Sequence, residues 1–215
     1  MRNNILNKFI SLILCLCILA FCTVTGFAKS QNKTDYPFIY VHGMCGWGDG
    51  SPQEEKSPYW GTQPENNVMN YLRSQGYTVY NPPVGGYSSA WDRACELYAQ
   101  LTGTVVDYGA AHSKECGHSR YGRDYSGKAS MGKPWDLESP LNFVGHSFGG
   151  ETIRLLASLL AYGDKNEINA DRITAPSFLR AATKKASARL QQSRPLITVQ
   201  RFQTMFPTHS CRLFS

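Results

Sequence analysis

The alternation of apolar and polar positions starts with a run from Phe9 to Phe21, preceded by basic Arg2 and Lys8 and followed by small and polar residues ending at Gly26-Phe27-Ala28. A basic start, a short apolar middle and small residues at a cleavage point predict a secretory signal peptide over 1–28 and a secreted, extracellular chain. An uncleaved anchor is the other reading, but the run is short for a membrane span. Residues 29–35 read as a polar linker. Phe38–Val41 is then a short apolar run, the pattern of a buried strand, and it ends at His42-Gly43. A Gly-, Pro- and Glu-rich loop follows. Asn66–Gln75 predicts a helix with Val68, Met69 and Leu72 on one face and Gly76 as its stop. Tyr77–Tyr80 predicts a strand closed by Pro82-Pro83, and Asp92–Leu101 a helix. A polar, histidine-containing loop runs to Pro140. Leu141–Val144 predicts a strand, and Thr152–Tyr162 a helix with Ile153, Leu156, Ala157 and Leu160 inward and Gly163 as C-cap. Strands alternating with helices predict a parallel sheet with helices on both faces.

Composition changes this picture in two places. At 42% hydrophobic residues, the 215-residue chain can bury a real core. The net charge of +6 is unevenly spread: eight basic residues and one acid lie between Asp171 and Ser215, leaving the rest close to neutral. Such a tail fits an anionic surface, which keeps a non-catalytic, surface-binding fragment as the alternative function. Of seven cysteines, Cys15, Cys17 and Cys22 belong to the leader. Cys45, Cys95, Cys116 and Cys211 show no CxxC pair and no dense framework, which argues against a disulfide scaffold and leaves room for one disulfide of unassigned pairing.

The chemistry concentrates at Gly145-His146-Ser147-Phe148-Gly149. Alone, G-x-S-x-G is a moderate pattern. Here it directly follows an apolar strand and precedes an amphipathic helix, the context of the α/β-hydrolase nucleophile elbow. In that setting Ser147 is the candidate nucleophile, and the glycines let strand and helix approach. His42-Gly43 ends the first strand, where this fold places the other half of its oxyanion hole. The expected donors are the backbone N–H groups of Met44 and Phe148. Asp92, His112 and His118 offer a carboxylate and two imidazoles, a set that suits tetrahedral zinc. A solvated pair of loop histidines is the competing reading, and Cys116 is an alternative ligand.

Several longer strings carry a family resemblance. They are His42-Gly43-Met44-Cys45-Gly46-Trp47-Gly48, Tyr59-Trp60-Gly61, Ser88-Ser89-Ala90-Trp91-Asp92-Arg93-Ala94-Cys95-Glu96, Val106–His112, Gly117-His118 and Tyr121-Gly122-Arg123, followed by the elbow. Over residues 36–163 the chain resembles the secreted bacterial true lipases of the thermoalkalophilic and staphylococcal type. The resemblance implies an α/β-hydrolase fold, triacylglycerol hydrolysis at a lipid–water interface, a structural zinc and a calcium ion, with no nucleic-acid partner. It implies Ser147 as nucleophile, Met44 and Phe148 as oxyanion donors, and Asp92, His112 and His118 as zinc ligands. Phe148 departs from the family, which often carries Gln there. Because the donor is a backbone group, the change bears on the pocket wall more than on the chemistry.

The resemblance is expected to stop near Asp164, giving a lipase-domain portion over 29–164, cut after the elbow helix, and a basic, unfolded tail over 165–215. The calcium site, the fourth zinc ligand and the triad acid and histidine are not recognisable in that tail. Shifted by one base, codons compatible with Ala181–Val199 can encode a strand-like run ending in T-P-H-N-G, which the family carries after its elbow helix. A base lost or gained between about Asp164 and Leu179 is therefore expected, and the nucleotide sequence tests it. The fold's chain order is Ser, acid, His, and the only histidine after Ser147 is His209. The 215-residue chain is accordingly expected to be inactive.

Overall fold

The computed structural model describes residues 36–171 and 173–180. The expected signal peptide, the T-P-H-N-G segment, Cys211 and His209 lie outside them.

Strand β1 (Phe38–Val41) pairs in parallel with β2 (Val79–Tyr80) on one side and β5 (Asn142–Gly145) on the other. Its register runs Phe38 against Asn142 to Val41 against Gly145. Side chains alternate across a strand, so β1 feeds two cores. Ile39 and Val41, both fully buried, join helix α3 (Ala90–Thr102) and helix α5 (Phe148–Tyr162). Phe38 and Tyr40 face the other way, toward Met69, Val68 and Leu72 of helix α2 (Val68–Ser74) and toward Trp60. A short helix α1 (Pro52–Lys56) lies in the loop between β1 and α2.

Local chemistry sets the helix ends. Asn67 caps α2, its side chain accepting from Asn70 N–H. Ser89 caps α3 by accepting from Asp92 N–H at 3.1 Å, which starts the helix at Ala90, before the expected Asp92. Gly103 ends it in the left-handed conformation, φ 65°. Helix α5 begins immediately after Ser147, four residues ahead of Thr152, where apolar periodicity alone would start it.

The segment expected to be a polar loop carries three elements. Strand β3 (Val105–Asp107) and strand β4 (Tyr121–Asp124) form an antiparallel pair flanking helix α4 (Ala110–Cys116). His112 is thus a buried helical residue, with His118 just past the Gly117 C-cap. The packed chain also runs past Asp164, where the domain was expected to end. Asp164 caps helix α6 (Lys165–Ala170), and the 3-10 turn Ser177–Arg180 buries Phe178 and Leu179. The Phe178 ring stacks on Tyr98 at 4.2 Å, and burying a side chain of that size stabilises by about 2–3 kcal/mol. Arg120 ties the β3–β4 pair to this segment. It bonds both Asp107 carboxylate oxygens at 2.9 Å and Asp171 Oδ2 at 2.7 Å.

Candidate functional site

Ser147 stands at φ 52°, ψ −123°, a left-handed region that side chains avoid and that costs about 1–3 kcal/mol. Its surroundings enforce that conformation. His146 N–H donates to Val41 O at 3.1 Å, Gly149 N–H to His146 O at 2.9 Å, and Gly150 N–H to Ser147 O at 3.0 Å. Neither flanking glycine has room for a side chain. A Cβ on Gly149 would stand 2.1 Å from Val41 O, and one on Gly145 would stand 2.6 Å from Gly150 N. The result is a sharp turn whose serine leads directly into the first turn of α5. The Phe148 N–H there has no intrahelical acceptor.

The end of β1 comes up against this turn. A Cβ on Gly43 would lie 3.0 Å from Ser147 Cβ. The fully buried His42 ring braces the loop. Val84 N–H donates to its Nε2 at 3.2 Å, so the ring proton sits on Nδ1 and is donated to Gly43 O at 2.8 Å. Burial, reinforced by the nearby Arg93 charge, lowers the His42 pKa to about 4, so the ring is neutral at ordinary pH. The peptide is trans. Holding Gly43 C=O inward therefore points the Met44 N–H of the same peptide the opposite way.

Arg93 makes the same loop part of the core. It is fully buried. Its guanidinium donates to His42 O at 2.5 Å, to Gly85 O at 2.7 Å and, from Nε, to Thr152 Oγ1 on α5 at 2.9 Å. It also lies over the Phe148 ring, 5.1 Å from the centroid. Burial lowers its pKa only to about 10, so it stays charged at neutral pH. Tyr59 closes the ring of contacts. Its hydroxyl accepts from Gly43 N–H at 3.0 Å and bonds His146 Nδ1 at 2.6 Å.

One residue earlier on α3, Asp92 points to a different cluster, as the 100° step of a helix requires. Asp92 Oδ1 lies 2.9 Å from His112 Nε2 and 3.6 Å from His118 Nε2. Trp91 stacks on the His112 ring at 5.0 Å and Tyr108 meets His118 edge-on. His118 Nε2 is buried and has no hydrogen-bond partner among the described residues. A buried nitrogen without a partner, aimed at a carboxylate shared with a second imidazole, is a donor set that fits a cation. The His112, Cys116 and His118 donor atoms also lie within 4.8 Å of one another. Cys116 is the weaker candidate. It is disulfide-bonded, and its sulfur lies 3.7 Å from His112 Nδ1, the ring nitrogen turned away from Asp92. Cys45 and Cys95 are free thiols.

The family described as "Lipase-like, C-terminal domain" matches residues 34–176. The chain belongs to this lipase family. It is 45% identical over 137 residues to a lipase of Staphylococcus hyicus, a match covering 63% of this chain and 20% of that protein. The crystal structure of Staphylococcus hyicus lipase superposes with a TM-score of 0.61 at 39% identity, covering 71% of this chain and 39% of that one. The structure of EstA from Clostridium botulinum gives 0.62 at 36% identity, over 74% and 35% of the two chains. The fold is of the α/β-hydrolase type. The chain spans about a fifth of the length of the curated relatives it matches. The family match reaches residue 176, beyond the expected limit at Asp164.

In this lipase-family chain the structure brings Ser147, Phe148, His42-Gly43 and the Met44 peptide together. It gathers Asp92, His112 and His118 at a second locus. Sequence patterns gave no role to Arg93 and Tyr59, which were quoted only within longer strings, or to Glu167, which lies beyond those strings. Each described acid after Ser147 is engaged elsewhere. Glu151 pairs with Arg154, Asp164 caps α6, Glu167 bonds α4 and Asp171 bonds Arg120. Among the described residues no histidine is hydrogen-bonded to Ser147.

Proposed function

We propose that the chain carries the nucleophile and oxyanion half of a lipase-type carboxylic ester hydrolase, acting on lipid esters such as triacylglycerols at a lipid–water interface. The observation that carries this reading is the strained Ser147 held against the Gly43–Met44 loop. In the proposed reaction Ser147 Oγ attacks the ester carbonyl carbon while a base takes its proton. The carbonyl oxygen becomes an oxyanion facing the N–H groups of Phe148 and Met44. Collapse expels the protonated alcohol and leaves an acyl-serine, which water hydrolyses to the free acid. Loss of one oxyanion donor costs about 3 kcal/mol of transition-state stabilisation. His42 and Arg93 hold the Gly43 carbonyl side of the loop, so their part is to orient rather than to react.

Asp92, His112 and His118 are proposed to hold a structural zinc ion. Bound there, the ion would cross-link α3 to α4 and to the turn after it. Calcium, which the resemblance also implies, has no assigned ligands among the described residues. Secretion rests on the leader-like N-terminus; among the described residues no helix is long and apolar enough to cross a membrane.

The four described histidines are committed to the oxyanion loop, Tyr59 and the metal cluster. No base for Ser147 is therefore found among the described residues, and little turnover is expected of the chain alone. Exogenous imidazole tests this. Hydrolysis of a p-nitrophenyl ester by wild type minus that by Ser147→Ala should be near zero in plain buffer and rise with imidazole. Equal rates for the two proteins at every imidazole concentration would refute Ser147 as nucleophile. Strong Ser147-dependent turnover without imidazole would refute the missing base.

A further inference from the structure

Glu167 has no part in the proposed reaction, yet it is 1% exposed, on a surface helix. Its carboxylate reaches across to α4. One oxygen accepts from Ala111 N–H at 3.0 Å and the other from His112 N–H at 2.7 Å. These amides belong to the first turn of α4, where backbone donors lack intrahelical acceptors. A helix start of this kind is ordinarily capped by a local Ser, Thr, Asp or Asn. Here the N-cap is Gly109, at φ 90°, with no side-chain cap. A Cβ on Gly109 would lie 2.4 Å from the Glu167 carboxyl carbon. The capping group therefore arrives from more than fifty residues away, in the space left by the missing side chain. Asp164 Oδ1, accepting from Glu167 N–H at 3.0 Å, fixes the other end.

His112 is held at both ends by this arrangement. Glu167 takes its backbone N–H, and Asp92 faces its Nε2 at 2.9 Å. We propose that Glu167 is a positioning residue for the Asp92/His112/His118 metal centre. Its buried carboxylate caps α4 and sets where the His112 imidazole meets Asp92. The proposal rests on reading that cluster as a metal centre. It makes residues 164–167 part of the site, although they lie where the resemblance in sequence was expected to fade.

The test uses the full chain as wild type, Glu167→Gln, which keeps the volume and one acceptor oxygen, and Glu167→Ala. Zn2+ affinity is measured by chelator competition, the ligand field by visible absorption of the Co2+-loaded protein, and α4 opening by hydrogen exchange at residues 110–116. Glu167→Ala should bind Zn2+ on the order of tenfold more weakly, the usual scale for groups that orient a metal-binding histidine. It should also show altered Co2+ bands and faster exchange, with Glu167→Gln intermediate. Wild-type uptake with unchanged affinity and bands in both variants overturns the proposal. A wild-type chain that takes up neither ion overturns the metal-centre reading itself, and the proposal with it.

Discussion

Replacing Gly149 by Ala adds one methyl group at the tightest contact in the elbow. Its Cβ would stand 2.1 Å from Val41 O, 2.8 Å from His42 O and 2.9 Å from Val41 C. All three are backbone atoms, so no side chain can swing aside. Either β1 or the first turn of α5 must retreat by about 1 Å, through a core in which Ile39 and Val41 are fully buried. Overpacking costs run to about 3 kcal/mol, and a contact against rigid backbone belongs at that end. For a domain of this size, that corresponds to roughly 6–12 °C in Tm. Gly127→Ala is the control. Gly127 has φ 71° with nothing near its Cβ position, so only the left-handed penalty applies, about 1 kcal/mol. Thermal unfolding followed by near-UV circular dichroism should rank wild type, Gly127→Ala, Gly149→Ala in falling stability. If Gly149→Ala melts no lower than Gly127→Ala, close approach of β1 to the elbow is not what excludes a side chain there.

Three further predictions follow from the site's construction. The His42 pKa is lowered from 6.5 to about 4 in the fold. Between those values the unfolded chain takes up a proton that the folded chain refuses. This contribution to stability is complete above about pH 6.5 and falls, by up to about 3 kcal/mol, as pH drops toward 4. Urea midpoints across that range should show the slope, and His42→Asn should flatten it. Arg93→Lys keeps the charge but cannot reach His42 O, Gly85 O and Thr152 together, so stability should fall by about 2–3 kcal/mol, read as a lower urea midpoint at unchanged m value. His118→Ala should lower bound zinc from about one ion per chain to a small fraction, measured by elemental analysis after gel filtration. Undiminished zinc would remove His118 from the ligand set.

How legible the site was depends on the range over which each feature is determined. The elbow could be read because its parts are contiguous: a strand, two glycines with no room for a Cβ, and a helix. His42-Gly43 could be read from its place at a strand end. Asp92, His112 and His118 were identified as chemistry, but the helical, buried setting of His112 was not. Helix α4 is only seven residues long, and its cap comes from Glu167 on another helix. Nothing in the pattern around residue 110 announces it. Arg93 was quoted only as a letter within a motif. Its role depends on carbonyls of His42 and Gly85 that no local pattern could place beside it. The short strands β3 and β4 escaped because β4 is exposed throughout and shows no alternation.

The pairing of β1 with β5 joins residues about a hundred apart, Phe38 with Asn142. Closing a loop of that length costs on the order of 4 kcal/mol of chain entropy before any contact repays it, and such long-range closures slow folding. The β3–β4 pair lies inside that loop and joins residues close in sequence, Asp107 with Tyr121, so it can form first. The left-handed turn at Ser147 is completed only with the β1–β5 closure, because the Val41 carbonyl that holds His146 N–H and crowds Gly149 lies across it. An incompletely folded chain therefore carries an ordinary, relaxed serine. On the proposed reading of Ser147 as nucleophile, reactivity at residue 147 would report that long-range closure, and a chain stalled before it would be chemically silent at this position.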